Sequence, residues 1–400
     1  MRIGAQRRVA VTGVGVVAPG ATGVAEFWAA LLGPAAPARV RRVHDADADA
    51  ADFVPRRDAR RLDRFAAFAV HAAGQALDCS GLRASGLGTT VDPDRVAVVI
   101  GTGMGGLVAH AEAVRMMAER GRVPPLTGPK TMPNAAASAV SMAYGLRGPT
   151  EALATACAAG THSIAHAARL VATGLADAAV AGGADGCLTD ADVAAFEVIG
   201  ALSPSGVSRP FDTARDGFCA AEGAGVLVLE PLDDARARSA PVLLEVLGAG
   251  STADAHHLTA PDPTASGAIR CVRAALADAC LAPGGIRHVN AHGTATTLND
   301  ASEARALRAV FGSVPPITSV KGVTGHPLGA AGAVEAVAVA LTVAHRTLPP
   351  TAGTVDVEET DLDVVLQARP WVPGAVLSTS FGFGGLNGAL VLGPMEDLAP

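Results

Sequence analysis

Four polar, glycine-rich islands interrupt this apolar chain: "TACAAGTH", "NAHGTATTLND", "SVKGVTGHPLGAAG" and "STSFGFGGLNG". They carry the residues best equipped for chemistry. Cys157 stands just before a run that reads as a helix, where unpaired backbone N–H groups and the positive helix end lower a thiol pKa and favour the nucleophilic thiolate. A free cysteine is also at home as a small buried hydrophobe, the reading that fits Cys79, Cys187, Cys219, Cys271 and Cys280. His292 and His326 sit at the mouths of glycine loops, where an imidazole can exchange a proton with substrate and two imidazoles can stabilise a developing enolate or oxyanion. Lys321 offers a cation in the loop of His326, and Glu303, eleven residues after His292, is near enough in the chain to return toward that histidine; a surface Lys–Glu pair accounts for the two as well.

Positioning these loops takes alternating strands and helices. Buried-strand signals recur in "RRVAVTGVGVV", "RVAVVIGTGMGG", "AAVAGGADGCL", "GAGVLVLEPL", "PVLLEVLGAGS", "HVNAHGTAT", "PITSVKGVTG" and "GALVLGP". Helical periodicity covers 60–78, 163–173, 266–279, 300–310 and 332–345. The alternation predicts βαβ units and sheets covered on both faces. The series falls into two similar halves, 1–235 and 236–400, with a boundary near "LDDARARSAP".

Composition narrows the function. Half of the 400 residues are hydrophobic, yet only 3% are aromatic and 46 are glycine, which suits close layer packing. The formal charge of -7 and the scarcity of aromatic rings argue against nucleic acid. The cysteines lack CxxC spacing, so neither a disulfide framework nor a zinc site is expected, and a reducing cytoplasm is the expected location. The basic N-terminus followed by an apolar run imitates a signal peptide, but Gly13, Gly15 and Pro19 interrupt it and its valines favour a strand. No membrane span is expected, because the longest apolar stretch, 330–343, contains Glu335.

The motifs "RRVAVTGVG", "YGLRGP", "TACAAG", "RPFDTARDGF.AAEGAG", "NAHGTATTLND", "KGVTGHPLGAAGAVE" and "SFGFGGLNG" occur in the order found in β-ketoacyl-[acyl carrier protein] synthases of the thiolase superfamily. From Arg8 to Leu392 the chain resembles these elongating ketosynthases of type II fatty acid and polyketide synthesis. The resemblance implies a thiolase-like α/β fold in which two βαβ halves form a five-layered α-β-α-β-α core. It implies that Cys157 accepts the acyl group with His292 and His326 as partners, and that Lys321 pairs with Glu303. It assigns the oxyanion hole to the N–H groups of Cys157 and Phe383, the phosphopantetheine arm to Thr294 and Thr296, and the acyl pocket to Met104, Phe196 and Phe383. The implied reaction is decarboxylative condensation of the acyl group on Cys157 with malonyl carrier protein, with no metal and no cofactor beyond the phosphopantetheine arm of the acyl carrier protein. A dimer is implied, with a second copy or a chain-length-factor-like subunit, through an edge strand around Thr150 to Ala156.

Departures from the family pattern, Thr297, Pro327 and Leu386, favour a specialised polyketide or polyene pathway over housekeeping fatty acid elongation. A silent chain-length factor would lack the active cysteine, and a degradative thiolase would carry a second reactive cysteine late in the chain, whereas none follows Cys280. A ketosynthase-like acyltransferase or cyclase that transfers without elongating also fits. In "PRRDARRLDRF", helical spacing places Leu62, Phe65 and Phe68 inward and Arg57, Arg60, Arg61 and Arg64 outward. The resemblance makes Arg57, Arg60 and Arg61 docking positions for an acidic carrier protein, although Gly200 stands where another arginine is frequent.

Overall fold

Apolar runs that lack alternation bury both faces, and they form the central strands here. The computed structural model describes residues 7–35, 37–44 and 49–395; part of the charge run, 45–48, lies outside these. The strands are β1 (Val9–Val17), β2 (Val96–Gly101), β3 (Thr150–Glu151), β4 (Ala178–Asp185), β5 (Gly223–Pro231), β6 (Leu244–Ala253), β7 (Ile286–Asn290), β8 (Ile317–Thr318), β9 (Ala375–Gly382) and β10 (Leu386–Gly393). They form one sheet in the order β8-β7-β9-β10-β6-β1-β5-β4-β2-β3.

That order is a duplication. In the first half β1 pairs antiparallel with β5, β5 antiparallel with β4, β4 parallel with β2, and β2 parallel with β3. The second half repeats the sequence as β6, β10, β9, β7 and β8, with the same directions. The seam between halves is short, three antiparallel residue pairs from Val9↔Val246 to Val11↔Leu244.

The helices that matter are α1 (Arg64–Cys79), α2 (Ala135–Tyr144), α3 (Ala159–Ala172), α4 (Asp190–Val198), α5 (Ser266–Asp278), α6 (Thr297–Val310) and α7 (Ala331–His345). Period-two alternation sends Val96, Val98 and Ile100 of β2 outward against α1 and α2. The intervening Ala97 and Val99 face inward against α3 and α7. On the other half-sheet, Val289, Leu377 and Val391 pack outward against α5 and α6, while Val376, Leu390 and Leu392 face the same central helices. The layers therefore run α-β-α-β-α.

The central helices approach closely because of two glycines. A Cβ on Gly332 would lie 1.9 Å from Thr161 Oγ1, and one on Gly160 would lie 2.8 Å from the Ala333 nitrogen. One stretch, Leu328–His345, has a mean hydropathy of 1.6 and is long and apolar enough to cross a membrane, contrary to expectation. It is 89% buried between the half-sheets, so its apolarity is that of a core helix.

Three helix starts differ from the sequence reading by three residues or more, the first being the helix expected from Asp300, which begins at Thr297 behind its cap Thr296. The helix expected from Arg60 begins only at Arg64, capped by Asp63, whose carboxylate accepts from Phe65 N; a separate turn of helix covers Arg56–Ala59. The helix after Cys157 begins at Ala159 rather than Ser163, following a tight 3-10 turn at Ala156–Ala158. Cys79 and Cys280 lie at the surface, while Cys187, Cys219 and Cys271 are buried as expected. Both exposed thiols terminate helices, where the chain leaves the core.

Candidate active site

Cys157 sits in the turn that feeds α3, directly after Ala156, which adopts a left-handed φ of 48°. The second half contains the counterpart: a 3-10 turn at Leu328–Ala330 feeds α7, and Leu328 has φ 47°. This turn carries His326 just before it. The close packing of α3 and α7 thus brings the two turns together, and His326 Nε2 lies 3.1 Å from Cys157 Sγ. His292, on the loop after β7, stands edge-on to His326 with ring centroids 5.3 Å apart. The donor atoms of Cys157, His292 and His326 all lie within 4.8 Å of one another.

Burial sets the charge states. The Cys157 thiol is pushed up to about 12 by burial, opposed by Lys321 and by the backbone N–H groups of Phe383 and of Cys157 itself. The direction is opposite to the expectation of a thiol acidified by the helix end: the half-buried Cys157 lies in a tight turn lining the cavity, where desolvation outweighs the N–H groups. Those two N–H groups nevertheless converge on the sulfur, where an oxyanion on an attached carbonyl would need them. His292 and His326 are both held well below the ordinary histidine value, by burial first and then by the Lys321 ammonium. Both imidazoles are neutral at pH 7.

Lys321 is fully buried and its Nζ reaches three groups. It donates to the His292 carbonyl, lies 3.3 Å from His292 Nδ1, and pairs with Glu335 on α7. The expected Lys321–Glu303 pair does not form. Glu303, on α6, is occupied by backbone: its carboxylate accepts from His292 N at 2.9 Å, from Gly293 N at 2.8 Å and from Thr379 Oγ1 at 2.6 Å. Glu303 therefore anchors the His292 loop, and Glu335 neutralises the lysine; burial raises Glu335 to about 7 despite that pairing. An acidic residue in the first turns of an otherwise apolar, buried helix was the available signal for Glu335.

The ammonium beside His292 Nδ1 makes that nitrogen an acceptor and leaves the proton on Nε2. A metal-bound histidine instead donates its second N–H to an acceptor. The arrangement suits a hydrogen-bond donor rather than a metal ligand.

These groups lie in a cavity of about 760 Å³ lined by Met104, Phe196, Phe383, Thr294 and Thr296 together with the cysteine and both histidines. Met104, Phe196 and Phe383 join one apolar cluster with Leu202, Phe218 and Leu328. Phe218 stands edge-on to both Phe196 and His326, so apolar wall and imidazole are continuous. The Thr294 and Thr296 hydroxyls are 2.9 Å apart on another wall, and Thr296 also caps α6. The glycine-rich island 382–385 forms the hairpin between β9 and β10 that carries Phe383.

Arg57, Arg60 and Arg61 are exposed, with Arg57 and Arg61 each 3.5 Å from Asp58. Arg64 turns inward instead of outward, donating through Nε and Nη2 to Glu222 at 2.9 and 2.7 Å, because it opens α1 against the body of the protein. Asp185, which closes β4, was not anticipated; it accepts four hydrogen bonds beside the pocket. The signal for it was an acid at the end of an apolar strand.

Comparison with known proteins agrees with this geometry. Residues 35–235 match the beta-ketoacyl synthase N-terminal domain and residues 243–354 the C-terminal domain. The chain is 39% identical to the 3-oxoacyl-[acyl-carrier-protein] synthase 2 of Coxiella burnetii, over 98% of this chain and 100% of that one. Its backbone is similar to that of the ishigamide ketosynthase/chain length factor, with a TM-score of 0.90 and 33% identity over 98% of this chain and all of the other. It is also similar to a type II polyketide ketosynthase solved with its acyl-carrier protein and bound to the hexaketide, with a TM-score of 0.87 and 28% identity over 98% and 100% of the two chains.

Proposed function

This chain belongs to the β-ketoacyl synthase family, and we propose that its Cys157, His292 and His326 carry out decarboxylative condensation between an acyl group and malonyl carrier protein. The observation that carries this assignment is the convergence of one thiol and two neutral imidazoles in the lining of one largely apolar cavity.

In the loading step, Cys157 attacks the thioester carbonyl of an acyl carrier protein while its thiol proton passes to His326 Nε2. The same proton then leaves on the sulfur of the departing phosphopantetheine arm. A neutral base 3.1 Å from the sulfur makes this transfer possible for a thiol of high pKa. Once the sulfur is acylated and the departing arm has taken the thiol proton, His326 returns to its neutral form with the proton shifted through solvent from Nδ1 to Nε2. Malonyl carrier protein then loses CO₂, and its enolate oxygen accepts from His292 Nε2–H and His326 Nε2–H. Lys321 holds the His292 tautomer for that purpose. The enolate carbon forms a bond to the acyl carbonyl, whose oxyanion is held by the N–H groups of Cys157 and Phe383. Collapse expels the Cys157 thiolate, which takes up one proton from solvent, matching the proton that left on the arm's sulfur during loading. The product is a β-ketoacyl carrier protein two carbons longer.

The phosphopantetheine arm enters past Thr294 and Thr296, and the acyl chain runs toward Met104 and Phe196. No metal or separate cofactor takes part. The exposed Arg57, Arg60 and Arg61 steer the acidic carrier protein, and the edge position of β3 supports pairing with a second subunit, either a copy of this chain or a chain-length-factor-like partner. We place the enzyme in the cytoplasm, in a specialised type II polyketide pathway, on the departures at Thr297, Pro327 and Leu386. Fatty acid elongation is the second reading, favoured by the 39% relative. Mass spectrometry of the carrier protein after incubation with acyl and malonyl carrier proteins tests the proposal. A product longer by two carbons supports it; bare decarboxylation or hydrolysis, with no new carbon–carbon bond, contradicts it.

A further inference from the structure

The duplicated fold predicts two equivalent turns at the heads of the central helices, and only one carries a nucleophile. Position by position, Ala156 matches Leu328, both left-handed, and Cys157 matches Gly329. The backbone N–H of Cys157 is half of the oxyanion hole. Its counterpart, the N–H of Gly329, is not open to substrate: it donates to Asp185 Oδ2 at 2.6 Å. The same oxygen accepts from Gly103 N at 2.9 Å, and Oδ1 accepts from Thr102 Oγ1 at 2.6 Å and Met104 N at 3.3 Å. Asp185 is completely buried. A Cβ on Gly329 would lie 2.2 Å from the Gly103 nitrogen and 2.7 Å from Asp185 Oδ2, so the three segments are in direct contact.

We propose that Asp185 is a positioning residue: an internal carboxylate that fills the second half's counterpart of the oxyanion hole and fixes the spacing between the Met104 wall of the acyl pocket and the His326 turn. The inference rests on the condensation chemistry assigned above. Two segments far apart in sequence, 102–104 and the turn at Leu328–Ala330, share no other anion among the described residues, and one anion satisfies donors from both. Met104 and Leu328, which belong to the same apolar cluster, are the pocket residues nearest this anchor in sequence. Short acyl groups occupy the space beside the sulfur, whereas longer ones must use that cluster. Loosening the anchor therefore acts on long chains. Burial raises Asp185 to about 6, so at neutral pH the anchor is an anion, as its donors require.

The test uses Asp185→Asn and Thr102→Val. An amide can keep an oxygen toward Gly103 and Gly329, but its NH2 then faces Met104 N–H, which loses its acceptor. Thr102→Val removes a donor from the same side with little change of shape. Acyl transfer to Cys157 is measured by intact mass with carrier proteins bearing acetyl and long acyl chains, alongside malonyl decarboxylation. In both variants, kcat/KM for long-chain loading should fall by about tenfold or more relative to acetyl loading and to decarboxylation in the same variant, the scale of a sub-ångström misplacement of the Met104 wall, because the short acyl group and malonyl depend on the His326 turn but not on that wall. Equal losses for every substrate, or no loss for any, would overturn the role of Asp185. A wild-type protein that takes up no acyl group at all would instead overturn the condensation reading, and the proposal with it.

Discussion

The two halves of the molecule share a strand order and a helix plan, yet their chemistry is divided. The first half supplies the thiol, on the turn before α3; the second supplies both imidazoles, the buried lysine and its acidic partner. Where the first half presents an open backbone N–H beside a reactive sulfur, the second presents the N–H of Gly329, already engaged by Asp185. The difference teaches that duplication builds the frame and that a few polar side chains make it asymmetric. A covalent step and an enolate step can then be stabilised by separate residues around one cavity.

The comparison breaks most visibly in the second half. His292→Ala or His326→Ala should lower malonyl decarboxylation by about 10² or more, the usual scale for one oxyanion donor, in a CO₂-release assay. A loss confined to acyl loading would mean that the histidines serve the thiol alone. Lys321→Met removes the cation from Glu335, which is already raised to about 7 and takes up a proton instead, so the cost should be about 1–3 kcal/mol from the lost hydrogen bonds, read as a fall in the denaturation midpoint. A double-mutant cycle with Glu335→Gln should recover a coupling of about 1–3 kcal/mol, whereas the cycle with Glu303→Gln should recover much less.

The first half is sharpened by pH. A Cys157 thiol near 12 should show alkylation by iodoacetamide that rises about tenfold per pH unit from 7 to 9, since only the thiolate reacts. A plateau beginning near neutrality would mean that the helix end dominates after all. The smallest effect is expected on the exterior. Arg60→Glu with Arg61→Glu should slow turnover of carrier-bound substrate several-fold at low salt, with the difference shrinking as salt rises, and leave loading from a small thioester unchanged. Equal slowing of both substrates would remove these arginines from docking.

Much of this division is legible in the sequence. Cys157, His292 and His326 stand in glycine islands that no core requirement explains, and the apolar runs set the strand order's raw material. What stays hidden depends on three-dimensional company. Lys321 and Glu303 lie in adjacent motifs, but α6 turns Glu303 toward the backbone of the His292 loop, while α7 delivers Glu335 from within an apolar run to the lysine. The thiol's position ahead of a helix suggests acidity, whereas its burial in a tight turn reverses the sign. Arg64 obeys the periodicity of an exposed face, yet Asp63 caps the helix there and Arg64 meets Glu222. Asp185 reads as the last residue of a strand until the second turn is seen to need an anion.

The division of labour between the halves is tested most directly with Cys157→Gln, assayed in one experiment for acyl adduct by intact mass and for CO₂ release from malonyl carrier protein. Removing the nucleophile while keeping both imidazoles should eliminate the adduct and leave decarboxylation at or above the wild-type rate. Decarboxylation that disappears together with the adduct, in a protein that still folds, would contradict the assignment of the enolate step to the second half.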